Sequence, residues 1–190
     1  MTPIEILETS EALLTGHFLY TSGRHGHQYM QCAKVLQNPA YATAIIEHLT
    51  TQFAALNPEL VIAPAMGGIL VGHELARQLG TRSIFAEREN GLITLRRGFT
   101  IPTGTRTLIA EDVVNTGKSV REVMAITEAA GADLIGVAAL VDRTGGTIDF
   151  GVPFYSAYST QMVSYAAEDC PICAEGKLPL VKPGSRVQPS

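Results

Sequence analysis

The sequence predicts an α/β domain built on a central parallel sheet flanked by helices. From Leu60 onward, strand-sized apolar runs alternate with helix-like stretches, the pattern of parallel strands joined by right-handed crossovers. The chain has 190 residues, of which 46% are hydrophobic, enough for one sizeable core and too few for two comfortable ones. Residues 1–190 are therefore read as a single domain. The longest apolar run, Leu134 to Val141, is strand-sized and far short of the ~18 residues of a membrane span.

The elements follow in order. Thr2-Pro3-Ile4-Glu5 opens a helix: Thr2 caps, Pro3 fits the first turn and Glu5 completes a capping box. Gly16 is expected to end it. Phe18 to Tyr20 and Gln28 to Gln31 read as short strands around a Ser22-Gly23 turn. Asn38-Pro39 starts a second helix with Tyr41, Ile45, Leu49 and Phe53 on one stripe. Leu60 to Ala63 is a buried strand, Pro64 to Gly68 a glycine-rich loop, and Ile69 to Leu79 a helix stopped by Gly80. Strands are expected at Ser83 to Glu87, Arg106 to Ala110 and Leu134 to Val141, with a helix from about Ser119 to Ala130. The tail after Tyr165 is polar and Pro-rich and is expected to wrap the surface or fold back on the N-terminal segment.

Charge narrows the function. With 14 Lys+Arg against 18 Asp+Glu the net charge is -4, a poor basis for holding nucleic acid by bulk charge. The start of the chain is interrupted by acids and does not read as a signal peptide. Three cysteines, Cys32, Cys170 and Cys173, do not suggest a disulfide framework, so a reduced cytoplasmic protein is expected.

Ligands of open parallel sheets sit at the carboxyl ends of the strands. Here those ends are the segments at 64–68, 88–98, 111–119 and 142–146. The most informative is Thr107-Leu-Ile-Ala-Glu-Asp-Val-Val-Asn-Thr-Gly-Lys-Ser119. Two adjacent acids precede a short turn and a helix start, whose unpaired N–H groups suit a phosphate. Gly117-Lys118-Ser119 ends like a Walker A loop, but that motif needs glycine where Asp112 stands. Glu111 and Asp112 suit the hydroxyls of a ribose instead. The following turn would then hold its 5-phosphate.

Two acids, two apolar residues and a polar turn ending Thr-Gly-Lys-Ser resemble the phosphoribosyl pyrophosphate signature of type I phosphoribosyltransferases. Gly16-His-Phe-Leu-Tyr-Thr-Ser-Gly-Arg24 resembles the substrate segment of the orotate phosphoribosyltransferases. Phe85-Ala-Glu-Arg88 with Leu95-Arg-Arg-Gly-Phe99 resembles their strand and mobile loop, and Val141-Asp-Arg143 their base-binding strand end. The tail from Cys170-Pro-Ile-Cys173 through Val181 to Ser185 is similar to one subgroup. The resemblance implies a type I phosphoribosyltransferase-like sheet with a small hood, approximately 1–36 plus 160–190. It implies transfer of phosphoribose to orotate, giving orotidine 5-monophosphate in pyrimidine synthesis.

Residue by residue, the resemblance implies that Glu111 and Asp112 bind the ribose hydroxyls, with Asp112 counted as catalytic. Val113, Val114, Asn115, Thr116, Gly117, Lys118 and Ser119 would cradle the phosphate. Asn115 and Arg143 would face orotate, Arg88 the pyrophosphate, and Arg96 or Arg97 would close over the leaving group. Mg2+ would be held mainly by substrate, with no dedicated metal site on the chain. A homodimer is implied, with the mobile loop reaching the neighbour's site. The chain departs from many members, which have lysine at Thr21 and in the Met66-Gly67-Gly68 loop, and lysines and a histidine in the mobile loop.

A purine-base phosphoribosyltransferase would share the 111–119 segment but not Gly16 to Arg24 or Arg143. A non-catalytic nucleotide sensor of the same fold would not need the acid pair. Cys170-Pro-Ile-Cys173 has metal-knuckle spacing, but a structural zinc takes four ligands. Cys32 and His17, His25, His27, His48 and His73 could contribute only if the fold brought them near. The pair is read as cysteines in a tail turn, and His25 and His27 as a solvated turn.

Overall fold

A computed structural model describes residues 1–20 and 22–183. Helix α1 (Pro3–Thr9) begins at the expected capping box. It ends before Gly16, because Ser10 closes it and Glu11 takes a left-handed φ of 57° that turns the chain into a strand. Strand β1 (Leu13–Leu19) therefore contains Gly16 and pairs antiparallel with β2 (His25–Met30). A short helix α2 (Ala33–Leu36) leads to α3 (Pro39–Phe53), capped by Asn38. Ile45, Leu49 and Phe53 form its buried stripe, as the spacing predicts, while Tyr41 packs at its edge.

The main sheet comprises β3 (Leu60–Pro64), β4 (Arg82–Glu89), β5 (Leu92–Leu95), β6 (Arg106–Val114), β7 (Asp133–Asp142) and β8 (Phe154–Ser159), in the order β5-β4-β3-β6-β7-β8. All pairings are parallel except β4 with β5, a hairpin. Helices α4 (Gly67–Leu79) and α5 (Lys118–Ala129) are the crossovers. One core cluster joins α1, α2, α3 and α4 to one face of the sheet, and α5 packs with the cluster on the other.

Two boundaries differ from expectation in ways that matter. Helix α4 starts at Gly67 rather than Ile69, so the glycines belong to its first turn. Strand β6 runs on to Val114, so Glu111 and Asp112 lie on a strand and not in a loop. It runs on because β7 continues to pair with it, up to Val114 with Asp142. Strands β5 and β8 were not expected at all.

A second sheet joins the two ends of the chain in the order β10-β1-β2-β9, where β9 is Ser164–Tyr165 and β10 is Leu180–Val181. Between them lies the short helix α6 (Pro171–Glu175). His25 is buried rather than solvated, and Cys170 is buried rather than in a polar turn. His27, His48 and His73 are exposed. Thr21, and Gly184 and Ser185 of the tail resemblance, lie outside the described residues.

Candidate active site

The site grows from the carboxyl end of β6. Successive strand side chains alternate faces, and Glu111 is buried while Asp112 is half-exposed. Both carboxyl groups nevertheless reach the first turn of α4. A Cβ placed on Gly67 would fall 1.9 Å from Asp112 Oδ2, and one on Gly68 would fall 3.1 Å from Glu111 Oε1. The two glycines make room for the two acids. No side chain among the described residues caps α4, so the carboxyl groups sit where the helix's N-terminal N–H groups favour negative charge.

Glu111 is the more deeply buried of the two acids. Burial, then the charge of Asp112 and a hydrogen bond with it, push the Glu111 pKa up to about 9. Glu111 therefore holds a proton at neutral pH. Its Oε1 accepts from the Asp112 N–H at 3.0 Å, and Asp112 Oδ1 accepts from the Val113 N–H at 2.7 Å.

Beyond β6, residues 115–117 turn into α5. Gly117 holds φ at 71°, and a Cβ there would lie 2.5 Å from Ile148, so glycine is required both by conformation and by space. Among the described residues no side chain caps α5. A cavity of about 110 Å³ is lined by Glu111, Val113, Val114 and the run Asn115 to Val120. Its size and its helix-start donors suit one phosphate group. The Thr116 hydroxyl points to its rim, accepting weakly from the Lys118 N–H at 3.4 Å.

Arg143 follows β7 and is tied to β6 by its N–H, which donates to the Val114 carbonyl at 2.8 Å. The residue type alone suggests a salt bridge to Asp142. The structure rules that out, because Asp142 is buried and accepts from Thr144 N–H, Thr144 Oγ1, Gly146 N–H and Ser159 Oγ. Burial pushes its pKa up, but those hydrogen bonds outweigh burial and leave it below the usual carboxylate value. Arg143 Nε is buried without a hydrogen-bond partner among the described residues. Its charge is felt by Tyr20 from β1's end and by Cys32, which also feels Asp112 and Glu111. Arg143 and the acid pair thus lie at the adjoining carboxyl ends of β7 and β6.

The family model described as a phosphoribosyl transferase domain matches residues 32–150. An orotate phosphoribosyltransferase from Heliobacterium modesticaldum is 52% identical over 185 residues, covering 96% of each chain. The chain belongs to the orotate phosphoribosyltransferase family. The fold is wider than the family. The orotate phosphoribosyltransferase of Aeropyrum pernix superposes with a TM-score of 0.68 at 23% identity, covering 82% of this chain and 92% of that one. The adenine phosphoribosyltransferase of Rhodothermus marinus superposes at 0.65 and 24%, covering 82% of this chain and 99% of that one. The fold alone therefore does not choose the base.

The family's expected arginines are placed less simply. Arg88 donates to Glu122 on α5 at 2.6 Å and to the Gly91 carbonyl. Arg97 forks onto Glu87 at 2.8 and 2.9 Å and lies over the Phe85 ring. Arg96 lies 3.5 Å from Glu89. All three are on or beside the β4–β5 hairpin, each engaged by a carboxylate other than Glu111 or Asp112. The structure brings together Glu111, Asp112, residues 113–119 and Arg143, and leaves Arg88, Arg96 and Arg97 on the hairpin. Gly67 and Gly68 are the site residues the sequence reading missed. Their signal was a glycine pair directly after a buried strand, two positions before the helix was expected to begin.

Proposed function

We propose that this chain transfers the 5-phosphoribosyl group from phosphoribosyl pyrophosphate to orotate, giving orotidine 5-monophosphate and pyrophosphate. The observation that carries the reading is the acid pair at the end of β6. It lies against the uncapped first turn of α4, and Arg143, whose buried Nε has no partner among the described residues, follows the end of the adjoining strand β7. The α5 start holds the 5-phosphate through backbone N–H groups. Asp112 accepts from the ribose hydroxyls, and its negative charge stabilises the positive charge that develops on the sugar as the anomeric bond breaks. Arg143 offers a planar, permanently charged fork to the anionic pyrimidine. The orotate ring nitrogen attacks directly, so the chain needs to orient and to exclude water rather than to supply a nucleophile.

Magnesium fits this site, because the carboxylate oxygens of Asp112 are hard ligands of the kind it takes. When bound, mainly to the substrate's own oxygens, it neutralises charge on the pyrophosphate. Release of Arg96 and Arg97 from Glu89 and Glu87 would free both guanidinium groups to close over the leaving group, in the partner's site of a homodimer. Among the described residues no helix is long and apolar enough to cross a membrane. The three free thiols fit a reducing, cytoplasmic setting.

The test is the ultraviolet absorbance of orotate with the purified protein, Mg2+ and phosphoribosyl pyrophosphate. A decrease that needs every component, with orotidine 5-monophosphate as product, is expected. Turnover of adenine or guanine in place of orotate would overturn the base assignment. Binding of phosphoribosyl pyrophosphate with no turnover of any base would make the chain a sensor.

A further inference from the structure

The small sheet raises a question of stability. Strands β9 and β10 have two residues each, and α6 buries none of its side chains. Among the described residues of 161–183, Cys170 alone is buried. So little apolar contact does not hold a segment of this length against its conformational entropy.

A cluster of four side chains stands where this segment meets the N-terminal hairpin. His17 comes from β1, His25 from β2, and Cys170 and Cys173 from the start and body of α6. Their ligating atoms all lie within 4.8 Å of one another. His17 Nε2 is 3.2 Å from His25 Nδ1 and 3.6 Å from each of the two sulfurs, and His25 Nδ1 is 3.2 Å from Cys173 Sγ. A tetrahedron with the usual zinc bond lengths has N···N edges of about 3.3 Å and N···S edges of about 3.6 Å. The observed edges match within about 0.4 Å, inside the tolerance such sites show once both bonds of an edge are counted.

Three further observations point the same way. Between Thr15 and Phe18 the β1–β2 register slips by one residue, so His17 sits in a bulge and is buried next to buried Phe18, against the strand's alternation. Bulges of this kind re-aim a side chain. The other His17 nitrogen, Nδ1, faces the Leu178 carbonyl at 3.3 Å. A proton on Nδ1 would then leave the Nε2 lone pair directed at the cluster, the arrangement that orients ligating histidines. Finally, two imidazole nitrogens and two weakly bonding sulfurs leave more lone pairs converging than there are protons to share among them. A cation resolves this.

We propose that His17, His25, Cys170 and Cys173 form a closed, structural zinc site that fastens the C-terminal segment to the N-terminal hairpin. Two nitrogens and two sulfurs in a tetrahedron are a zinc set, not a magnesium set. Cys173 is exposed, which leaves a path for the ion. The site is separate from the acid pair and does not depend on the reaction assigned to it.

The test uses the full chain, without a histidine tag and purified without chelator. Elemental analysis is expected to find about one zinc per chain, retained through gel filtration. Cobalt(II) added to the metal-stripped protein is expected to give thiolate charge-transfer and tetrahedral ligand-field bands. Because Cys173 is exposed, Cys173→Ser keeps the fold, checked by circular dichroism, and is expected to lower bound zinc at least tenfold and abolish the cobalt bands. His17→Gln provides the second variant, with the same expectation. Stripping zinc is expected to open the segment after Ser159 to protease while the main sheet stays resistant. Metal-free purified protein that also gives no cobalt bands would overturn the proposal, as would zinc whose binding survives both substitutions.

Discussion

Replacing Gly67 by alanine separates position from stability at the acid pair. The new Cβ would stand 1.9 Å from Asp112 Oδ2 and 2.5 Å from its Cγ. The carboxylate must retreat by about 1.5 Å to restore ordinary contact. The backbone at Gly67 needs no positive φ, and the residue opens a helix, so alanine itself is welcome there and adds up to ~1 kcal/mol through the unfolded chain. The clash falls on the end of a half-exposed side chain, which can move without opening the core. Misplacing a reacting contact by about 1 Å costs on the order of 100-fold, or ~2.7 kcal/mol of transition-state stabilisation. Gly67→Ala should therefore keep or raise its melting temperature and lose about 100-fold in kcat/KM for phosphoribosyl pyrophosphate. The assay is initial-rate absorbance with orotate saturating, beside thermal unfolding of the same preparation. A variant within threefold of the parent would refute the placement of Asp112 against the sugar. A loss that tracks a lower melting temperature would refute the separation.

Other predictions test the remaining groups. If Arg143 pairs with the base as proposed, Arg143→Ala should raise KM for orotate by about 10- to 100-fold while leaving that for phosphoribosyl pyrophosphate nearly unchanged. Equal loss for both substrates would move Arg143 away from the base. Glu111 holds its proton to about pH 9 in the folded chain, whereas its ordinary value is 4.5. Folding is therefore favoured fully below about pH 4.5 by this group and loses that contribution as pH rises to 9. Glu111→Gln should flatten the fall in melting temperature across that window, and an unchanged slope would mean the carboxyl is ionised in the folded chain. If the hairpin arginines act in a partner's site, an Arg96→Ala/Arg97→Ala double variant mixed with Asp112→Asn should recover about a quarter of parent activity after random subunit exchange. Confirmed exchange without recovery would confine the site to one subunit.

What the sequence disclosed followed the reach of each signal. The crossover helices and parallel strands were legible because their patterns are local: Asn38-Pro39 caps one helix, Gly80 stops another, and the apolar runs of β3, β6 and β7 need no partner to be recognised. The β4–β5 hairpin was equally local and was overlooked. Asn90-Gly91 holds φ values of 49° and 87°, the turn those two residues favour between paired strands. Taking 88–98 as a loop at a strand end hides it, and with it the ion pairs that hold Arg88 and Arg97 on the hairpin.

The contributions of β1 and α6 were out of reach for a different reason. Nothing in Cys170-Pro-Ile-Cys173 names its partners, because the contact with His17 spans more than 150 positions and depends on one extra residue in β1. Strands as short as β9 and β10 carry no periodicity to announce them. The same holds for the acid pair's surroundings, since Gly67 and Asp112 meet only when α4 has packed across β3 and β6. The sequence could therefore supply the acid pair proposed to act on the sugar. It could not show that Gly67 and Gly68 make room for that pair, or that His17, His25, Cys170 and Cys173 come together. Those are properties of the tertiary packing, and they are where substitution should be most informative.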